Sequence, residues 1–534
     1  MSVPSFTVLL GRIHTMFDAQ PFVEAVCVSD GRIVRMGTKE ELLAFASSGH
    51  CTVIDASPYH VYPGFIDSHS HLSGYSTMID DVFCGISCGS IGNILNSLKR
   101  QAADPAFEWI LGYGYDDTGL PEGRHLTRTE LDEVSLDKPV LVRHVSLHFA
   151  YANSRALEML GFEAGMRIEG GEIELDEQGI PTGLLTEAAA FKAFSLLPTP
   201  SLEQTKANLA KAMAEYNRQG ITSFVDSAIG ILGDAETIVK AYGALAREGK
   251  MTARGLLQAT SGIIGRWKDW YDGTEEEQEF LRLGGLKLFA DGSIQAFTAA
   301  LSEDYFTMPG CRGGFVTSPE ELEEEISASN AMGVQVAVHC NGDEAIEATL
   351  CAFEKAFSEH PRPELHHTIV HAQTASFDQL RRMKACGVLP TLFPIHIDLW
   401  GDRHLHVFLG PERASRLSPA GDCVRLGLPF GLHVDTPVAR PTVLQNIHHA
   451  VNRRTSGGVV LGEGQCISPV EGLKAYTIDA AKFCQREKEC GVIRPGYFAD
   501  FVCLDREMET AAPNGTGDIR VMMTICGGKT VFHA

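Results

Sequence analysis

The sequence predicts an α/β protein: a (β/α)8, TIM-like barrel with a small β-sandwich domain built from both termini and an inserted α+β subdomain after the first barrel strand. Three observations carry this. Eight short apolar stretches end in polar residues, with helical stretches between several of them. Both ends of the chain read as short strands and turns. A gap of roughly 150 residues, far longer than an ordinary βα connection, follows the first apolar stretch.

The first ~60 residues contain FTVLLGRIHTM, EAVCVSDGRIVRMG and CTVIDASPYHVYP, and the pair Asp30-Gly31 between apolar runs signals a hairpin. The last ~45 residues repeat this style, with Gly527-Gly528 at another tight turn. Residues 1–60 and 484–534 are therefore expected to form one composite β-sandwich. Between them, PGFIDSHSH (63–71), GITSFVDS (220–227), ARGLLQAT (253–260), GGLKLFADGS (284–293), GVQVAVHCNGD (333–343), HHTIVHAQT (366–374), GVLPTLFPIH (387–396) and LPFGLHVDTPV (428–438) are the eight barrel strands. SPEELEEEISASNAM and SFDQLRRMKAC are two of the helices. Strand–helix alternation implies a parallel sheet, and eight units imply closure. The barrel is expected over 61–483, with the insertion at 73–205.

Composition narrows the function classes. Of 534 residues, 44% are hydrophobic and 21% charged, which is globular. Acidic residues number 68 against 45 basic, a formal charge of -23, so nucleic acid and anionic membranes, which require a basic face, are not expected partners. A small molecule is the expected partner, and a homodimer is expected only at class level. The N-terminus lacks the basic and long apolar regions of a signal peptide, and no run reaches the ~18 apolar residues of a membrane span. Fourteen cysteines without framework spacing read as reduced thiols in a cytoplasmic protein. Cys84 and Cys88 lack the further ligands a zinc knuckle needs.

The chemistry concentrates at strand ends. Side chains two apart on a strand point the same way, about 6.5 Å apart along the chain, so His69 and His71 after PGFID can converge on one metal ion. A lone His-x-His is weak evidence. His339 ends VQVAVHC and His371 ends TIVH, which puts two further histidines on the same rim of the barrel. Asp435 follows GLHV, where it would bind metal and accept a proton, or alternatively form an Asx-turn before Pro437. Lys287 lies inside the apolar strand GLKLFADG, where an unpaired charge is costly. It would snorkel, pair with a carboxylate, or be carboxylated by CO2 to bridge two metals. Asp291 would orient a ligand, contact substrate, or make a strand-end turn with Gly292. His148, in the insertion, would hydrogen-bond a substrate carbonyl or lie idle at the surface. Trp109, Tyr113 and Tyr115 would form an aromatic wall of the pocket or, the favoured reading, pack the core of the insertion.

PGFIDSHSH, Lys287, His339, His371 and Asp435 resemble the ligand pattern of the amidohydrolase superfamily, on strands one, four, five, six and eight. GVIRPGYFADFVCLD is similar to that superfamily's C-terminal β-segment. WILGYGYDD, HFAYANSRAL, PTGLLTEAA, GITSFVDS, KLFADGSIQAFTAAL, VAVHCNGDEAI and VDTPV resemble its YtcJ-like branch, amidohydrolase family 3, which includes N-substituted formamide deformylases. The chain departs from that branch at Val434, where a serine is usual, and at Gln295-Ala296-Phe297. The resemblance implies a hydrolase of non-peptide C–N bonds, of amide or formamide type, in small organic substrates. It implies two zinc ions, one on His69 and His71, one on His339 and His371, bridged by carboxylated Lys287. Asp435 would bind the first ion, take a proton from the attacking metal-activated hydroxide and return one to the leaving amine. Two alternatives remain open at this stage: a one-metal deaminase of an aminated heterocycle, with Glu344 as proton shuttle, and a non-catalytic regulatory homologue.

Overall fold

A computed structural model describes residues 5–163, 165–166 and 168–534. The chain divides into two compact units, one of residues up to Ser76 and from Leu202 onward, the other Thr77–Ser201.

The first unit contains all eight expected barrel strands: β1 (Phe65–Ser70), β2 (Ile221–Ile229), β3 (Arg254–Ala259), β4 (Leu281–Phe289), β5 (Gln335–Cys340), β6 (Thr368–His371), β7 (Leu389–Leu392) and β8 (Gly431–Leu432). They form one parallel sheet in sequence order from β8 to β1. Every residue of β1, β2 and β3 is buried. Burial on both faces explains why these strands read as apolar runs rather than as alternation. The seam between β8 and β1 is drawn together by polar contacts. Ser68 Oγ donates to the Leu432 carbonyl at 3.1 Å while lying 2.6 Å from Thr391 Oγ1 of β7, and the His71 amide donates to the Thr436 carbonyl at 2.9 Å.

The two helices singled out in the sequence occupy Pro319–Ala331 and Phe377–Cys386. Each begins with a capping box, Ser318 with Glu321 and Ser376 with Gln379. The second ends on Gly387 with φ +76°, a conformation that glycine adopts without a Cβ penalty.

Both ends of the chain enter one seven-stranded sheet. Its order is Lys529–His533, Val521–Cys526, Phe501–Leu504, His50–Pro63, Ser5–His14, Phe22–Ser29, Arg32–Gly37. Its two expected turns have positive φ at both central residues, 50° and 74° at Asp30-Gly31 and 56° and 74° at Gly527-Gly528. That is the type I′ requirement. A single apolar cluster joins Leu9, Val26 and Ile33 from the N-terminal side to Phe501 and Ile525 from the C-terminal side.

The second unit holds its own six-stranded sheet, with strands including Ile110–Tyr115, Val140–His144 and Phe149–Ala152. Tyr115 is buried in its core, and Trp109 packs against a second apolar cluster there. Among the described residues, which include all fourteen cysteines, there is no disulfide. Among the described residues, no helix is long and apolar enough to cross a membrane.

Candidate metal centre

At one end of the barrel, His69 Nε2 lies 3.3 Å and His71 Nε2 3.5 Å from Asp435 Oδ1. The three donor atoms fall within 4.8 Å of one another. His371 Nε2 and His339 Nδ1 approach to 3.0 Å. Donors on one tetrahedral ion, each about 2.0–2.1 Å from it, stand about 3.4 Å apart. Both groups therefore have the spacing of ligands to a divalent ion. His69 also lies beside the second pair, its ring 5.5 Å from that of His371.

The unused donors support this fit. His69 Nε2, Lys287 Nζ and Asp435 Oδ1 are all buried without a hydrogen bond among the described residues. Each such group costs about 1–3 kcal/mol if left unsatisfied. Their concentration at one barrel end suits a bound cation, and the donor set of imidazole nitrogens and carboxylate suits zinc.

The strands set the aim of each histidine. His69 Nδ1 is 3.0 Å from Ser227 Oγ on β2, whose hydroxyl donates to Gln258 Oε1 on β3 at 2.5 Å. Gln258 Nε2 in turn donates to Gln335 Oε1 on β5 at 3.2 Å. With the serine proton committed to Gln258, Ser227 Oγ accepts from His69 Nδ1–H, and Nε2 keeps its lone pair. His71 Nδ1 is 2.8 Å from the Ser227 carbonyl, which fixes the same tautomer. One residue thus orients both histidines, the kind of outer support that metal-bound imidazoles use. His371 and Asp435 have φ values of 70° and 54°, a left-handed conformation rare for non-glycine residues and often found at functional sites.

Burial shapes the charges. It pushes His339 down to about 4 and holds His69 and His371 well below the usual imidazole range. These rings are neutral near pH 7, as ligands must be. Burial likewise lowers Lys287 to about 8. For Asp435, burial opposes ionisation, but His371, His69 and His71 outweigh it and keep its carboxyl well below the ordinary carboxylate range.

The six ligand candidates thus come together. Asp291 lies against them, Oδ1 3.8 Å from His339 Nε2. Its oxygens accept backbone N–H groups from Asn341 (2.9 Å), Gly342 (2.8 Å) and Ala300 (3.0 Å). Burial nevertheless raises its carboxyl to about 7. This carboxylate ties the loop after β4 to the loop after β5, and next to it the Gly292 carbonyl lies 3.2 Å from His339 Nε2. Gly342 is required there, because a Cβ would lie 1.9 Å from the Ala300 carbonyl oxygen. His148 belongs to the Thr77–Ser201 unit, where it is half-exposed with Nδ1 2.8 Å from Glu187 Oε2. Glu344 is exposed in the first turn of the helix Asp343–Glu359.

Sequence reasoning missed His433 as a member of the cluster. It is fully buried, neither ring nitrogen has a hydrogen bond among the described residues, and its ring is 5.1 Å from His69 and 5.0 Å from His371. Its position two residues before Asp435 was the available signal, since that spacing on a strand puts both side chains on one face. Ser227, Gln258 and Gln335 were also missed.

The sequence profile of the Amidohydrolase family matches residues 52–532. YtcJ of Bacillus subtilis, which carries an amidohydrolase name, is 29% identical over 98% of each chain. N-substituted formamide deformylase of Arthrobacter pascens is 28% identical over 98% of this chain and 97% of its own. Among solved structures, an uncharacterized metal-dependent hydrolase from Pyrococcus horikoshii superposes with a TM-score of 0.77 at 26% identity, covering 95% of this chain and 99% of that one.

Proposed function

The chain belongs to the amidohydrolase family, and from that premise we propose that it hydrolyses a C–N bond other than a peptide bond, of amide or formamide type, in a small organic substrate. The observation that carries the metal-dependent reading is the cluster of buried, unsatisfied donors on His69, Lys287 and Asp435. The likeness to N-substituted formamide deformylase supports a formyl or other small acyl group on nitrogen.

His69, His71 and Asp435 would hold one zinc ion, and His339 and His371 a second. When bound, zinc supplies a Lewis acid and a water that ionises near neutral pH. Lys287 fits the bridging role, because an amine lowered to about 8 is partly neutral at pH 7 and able to react with CO2. Asp435, ionised and at the mouth of the strands, takes a proton from the attacking water and passes one to the leaving nitrogen. Ser227 and the Gly292 carbonyl hold the imidazoles in the tautomers that binding needs. No observation favours the deaminase alternative, since the exposed Glu344 side chain is poorly placed for a buried proton shuttle.

The test combines metal analysis with a panel of N-formyl amines, N-acyl amines and aminoheterocycles. Two zinc equivalents at the barrel ligands, turnover of an N-acyl substrate, and loss of the barrel zinc and of turnover in Lys287→Ala are expected. A zinc content unaffected by that variant removes the bridge. Turnover confined to aminoheterocycles overturns the amide reading.

A further inference from the structure

A second cluster of ligand-type side chains lies outside the barrel, in the sheet built from both ends of the chain. Strand His50–Pro63 is central to it, pairing in parallel with Ser5–His14 and antiparallel with Phe501–Leu504. In that register His60 stands opposite Arg12 on one side and Leu504 on the other. His14, at the end of its strand, and Glu507, just beyond Leu504, are therefore carried to the same place. His14 Nε2 is 3.1 Å from His60 Nδ1 and 3.9 Å from Glu507 Oε1, and the three donor atoms lie within 4.8 Å of one another.

The surroundings fix which His14 nitrogen faces the cluster. The Met508 amide donates to Tyr62 Oη at 2.9 Å, and the Tyr62 hydroxyl donates to Glu509 Oε2 at 2.6 Å. The other oxygen, Glu509 Oε1, is 3.0 Å from His14 Nδ1. The His14 ring, only 3% exposed as a residue, is stacked on Tyr62 with centroids 4.4 Å apart. A carboxylate on Nδ1 selects the Nδ1–H tautomer and leaves the Nε2 lone pair directed at His60 and Glu507. This carboxylate–histidine pairing is the usual outer support of a metal-bound imidazole. Glu507 and His60 are only partly buried, so an ion has a route in.

We propose that His14, His60 and Glu507 form a second zinc site, separate from the barrel centre, that fastens the two ends of the chain across neighbouring strands. Two imidazoles and a carboxylate are a zinc donor set, with water left to complete the coordination. Without an ion, the same residues form a hydrogen-bonded clasp in which His60 Nδ1–H donates to His14 Nε2, and the site competes with that bond. The ion would cross-link residues 14 and 60 to residue 507, closing loops of several hundred residues, so its binding stabilises the folded sheet.

The test uses full-length protein stripped with chelator and dialysed against micromolar zinc. Bound zinc and the unfolding midpoint are compared among the parent, His60→Ala and Glu507→Gln. Glu507→Gln keeps the size of a partly exposed side chain and guards against misfolding of the histidine variant. Each variant is expected to bind one zinc fewer than the parent, with a smaller zinc-dependent rise in midpoint. Cobalt in place of zinc should give the parent a tetrahedral visible band that both variants lack in part. Equal zinc content and equal midpoint shifts in all three folded proteins would overturn the proposal and leave the clasp alone. Because the readout is a difference between proteins with identical barrel residues, it stands or falls independently of the metal count in the barrel.

Discussion

Replacing Ser227 by alanine tests the view that β2 governs zinc binding from behind the ligands. Ser227 Oγ accepts from His69 Nδ1–H at 3.0 Å, and both groups are buried. The substitution removes that acceptor and leaves the Nδ1 proton unpaired in an interior site. An unpaired buried donor costs about 1–3 kcal/mol. At about 1.36 kcal/mol per decade, zinc affinity at the ion held by His69 should fall about 5- to 150-fold. His71 limits the loss, because its Nδ1 bonds the Ser227 backbone carbonyl at 2.8 Å, which alanine retains. Competition against a chromophoric chelator measures the affinity. Ser223→Ala is the control, since Ser223 Oγ lies on the same strand and is buried without a hydrogen bond among the described residues. The reasoning fails if the two variants bind zinc equally well, or if Ser227→Ala stays within twofold of the parent while folded.

Three further outcomes follow from the same geometry. Asp435→Asn, assayed at saturating zinc, should lower kcat about 10²- to 10⁴-fold, because the amide cannot accept the proton; a near-normal kcat would assign proton transfer elsewhere. Asp291→Asn should lower stability by about 1–3 kcal/mol for each of the Asn341, Gly342 and Ala300 amides left unpaired, and an unchanged denaturant midpoint would contradict this. Acid should unfold the protein partly through buried histidines away from the ligands. Burial lowers His367 to about 4 and His404 to about 3, so the unfolded chain, titrating near 6.5, binds protons first. Stability from these groups is intact above pH 6.5 and declines as pH falls towards 4, by about 2 kcal/mol each at pH 5. Thermal unfolding between pH 7 and 5 measures it, and a flat midpoint would refute it.

The barrel was legible because its strands are buried on both faces and stop at polar residues. VQVAVHC and TIVH announce both an element and the histidine that stands at its end. The two hairpin turns were legible because Asp-Gly and Gly-Gly satisfy a backbone requirement that few residues meet. The Ser227–Gln258–Gln335 relay was not, because its members are 31 and 77 residues apart and meet only through the parallel register of β2, β3 and β5. Nothing local distinguishes a serine that orients histidines from one that caps a turn. β8 was anticipated as part of an eleven-residue stretch, yet only Gly431–Leu432 pairs as strand. The left-handed φ at Asp435 turns the chain away from the ladder there. The His14–His60–Glu507 group was invisible for the same reason as the relay. Its spacing in sequence carries no pattern, and only the sharing of one sheet by both termini assembles it.

The barrel's candidate metal ligands also bear on its closure. β1 and β8 are the two ends of the eight-stranded sheet; His69 on β1 and His71 just after it lie on one side, and Asp435, three residues past β8, on the other. What joins them at the seam is sparse: the two paired residues of β8 pair with β7, and the contacts across the seam run from Ser68 Oγ to the Leu432 carbonyl and from the His71 amide to the Thr436 carbonyl. An ion on His69, His71 and Asp435 would cross this seam, so its binding energy would hold the barrel shut as well as serve hydrolysis. Removing zinc should therefore loosen the seam before the rest of the barrel. Hydrogen exchange of zinc-loaded and chelator-treated protein should show the largest gain at 65–71 and 431–436. β4 and β5, paired over five residue positions from Gly285 to Phe289, should change least. Uniform protection across both regions in the two states would show that closure rests on the polypeptide alone.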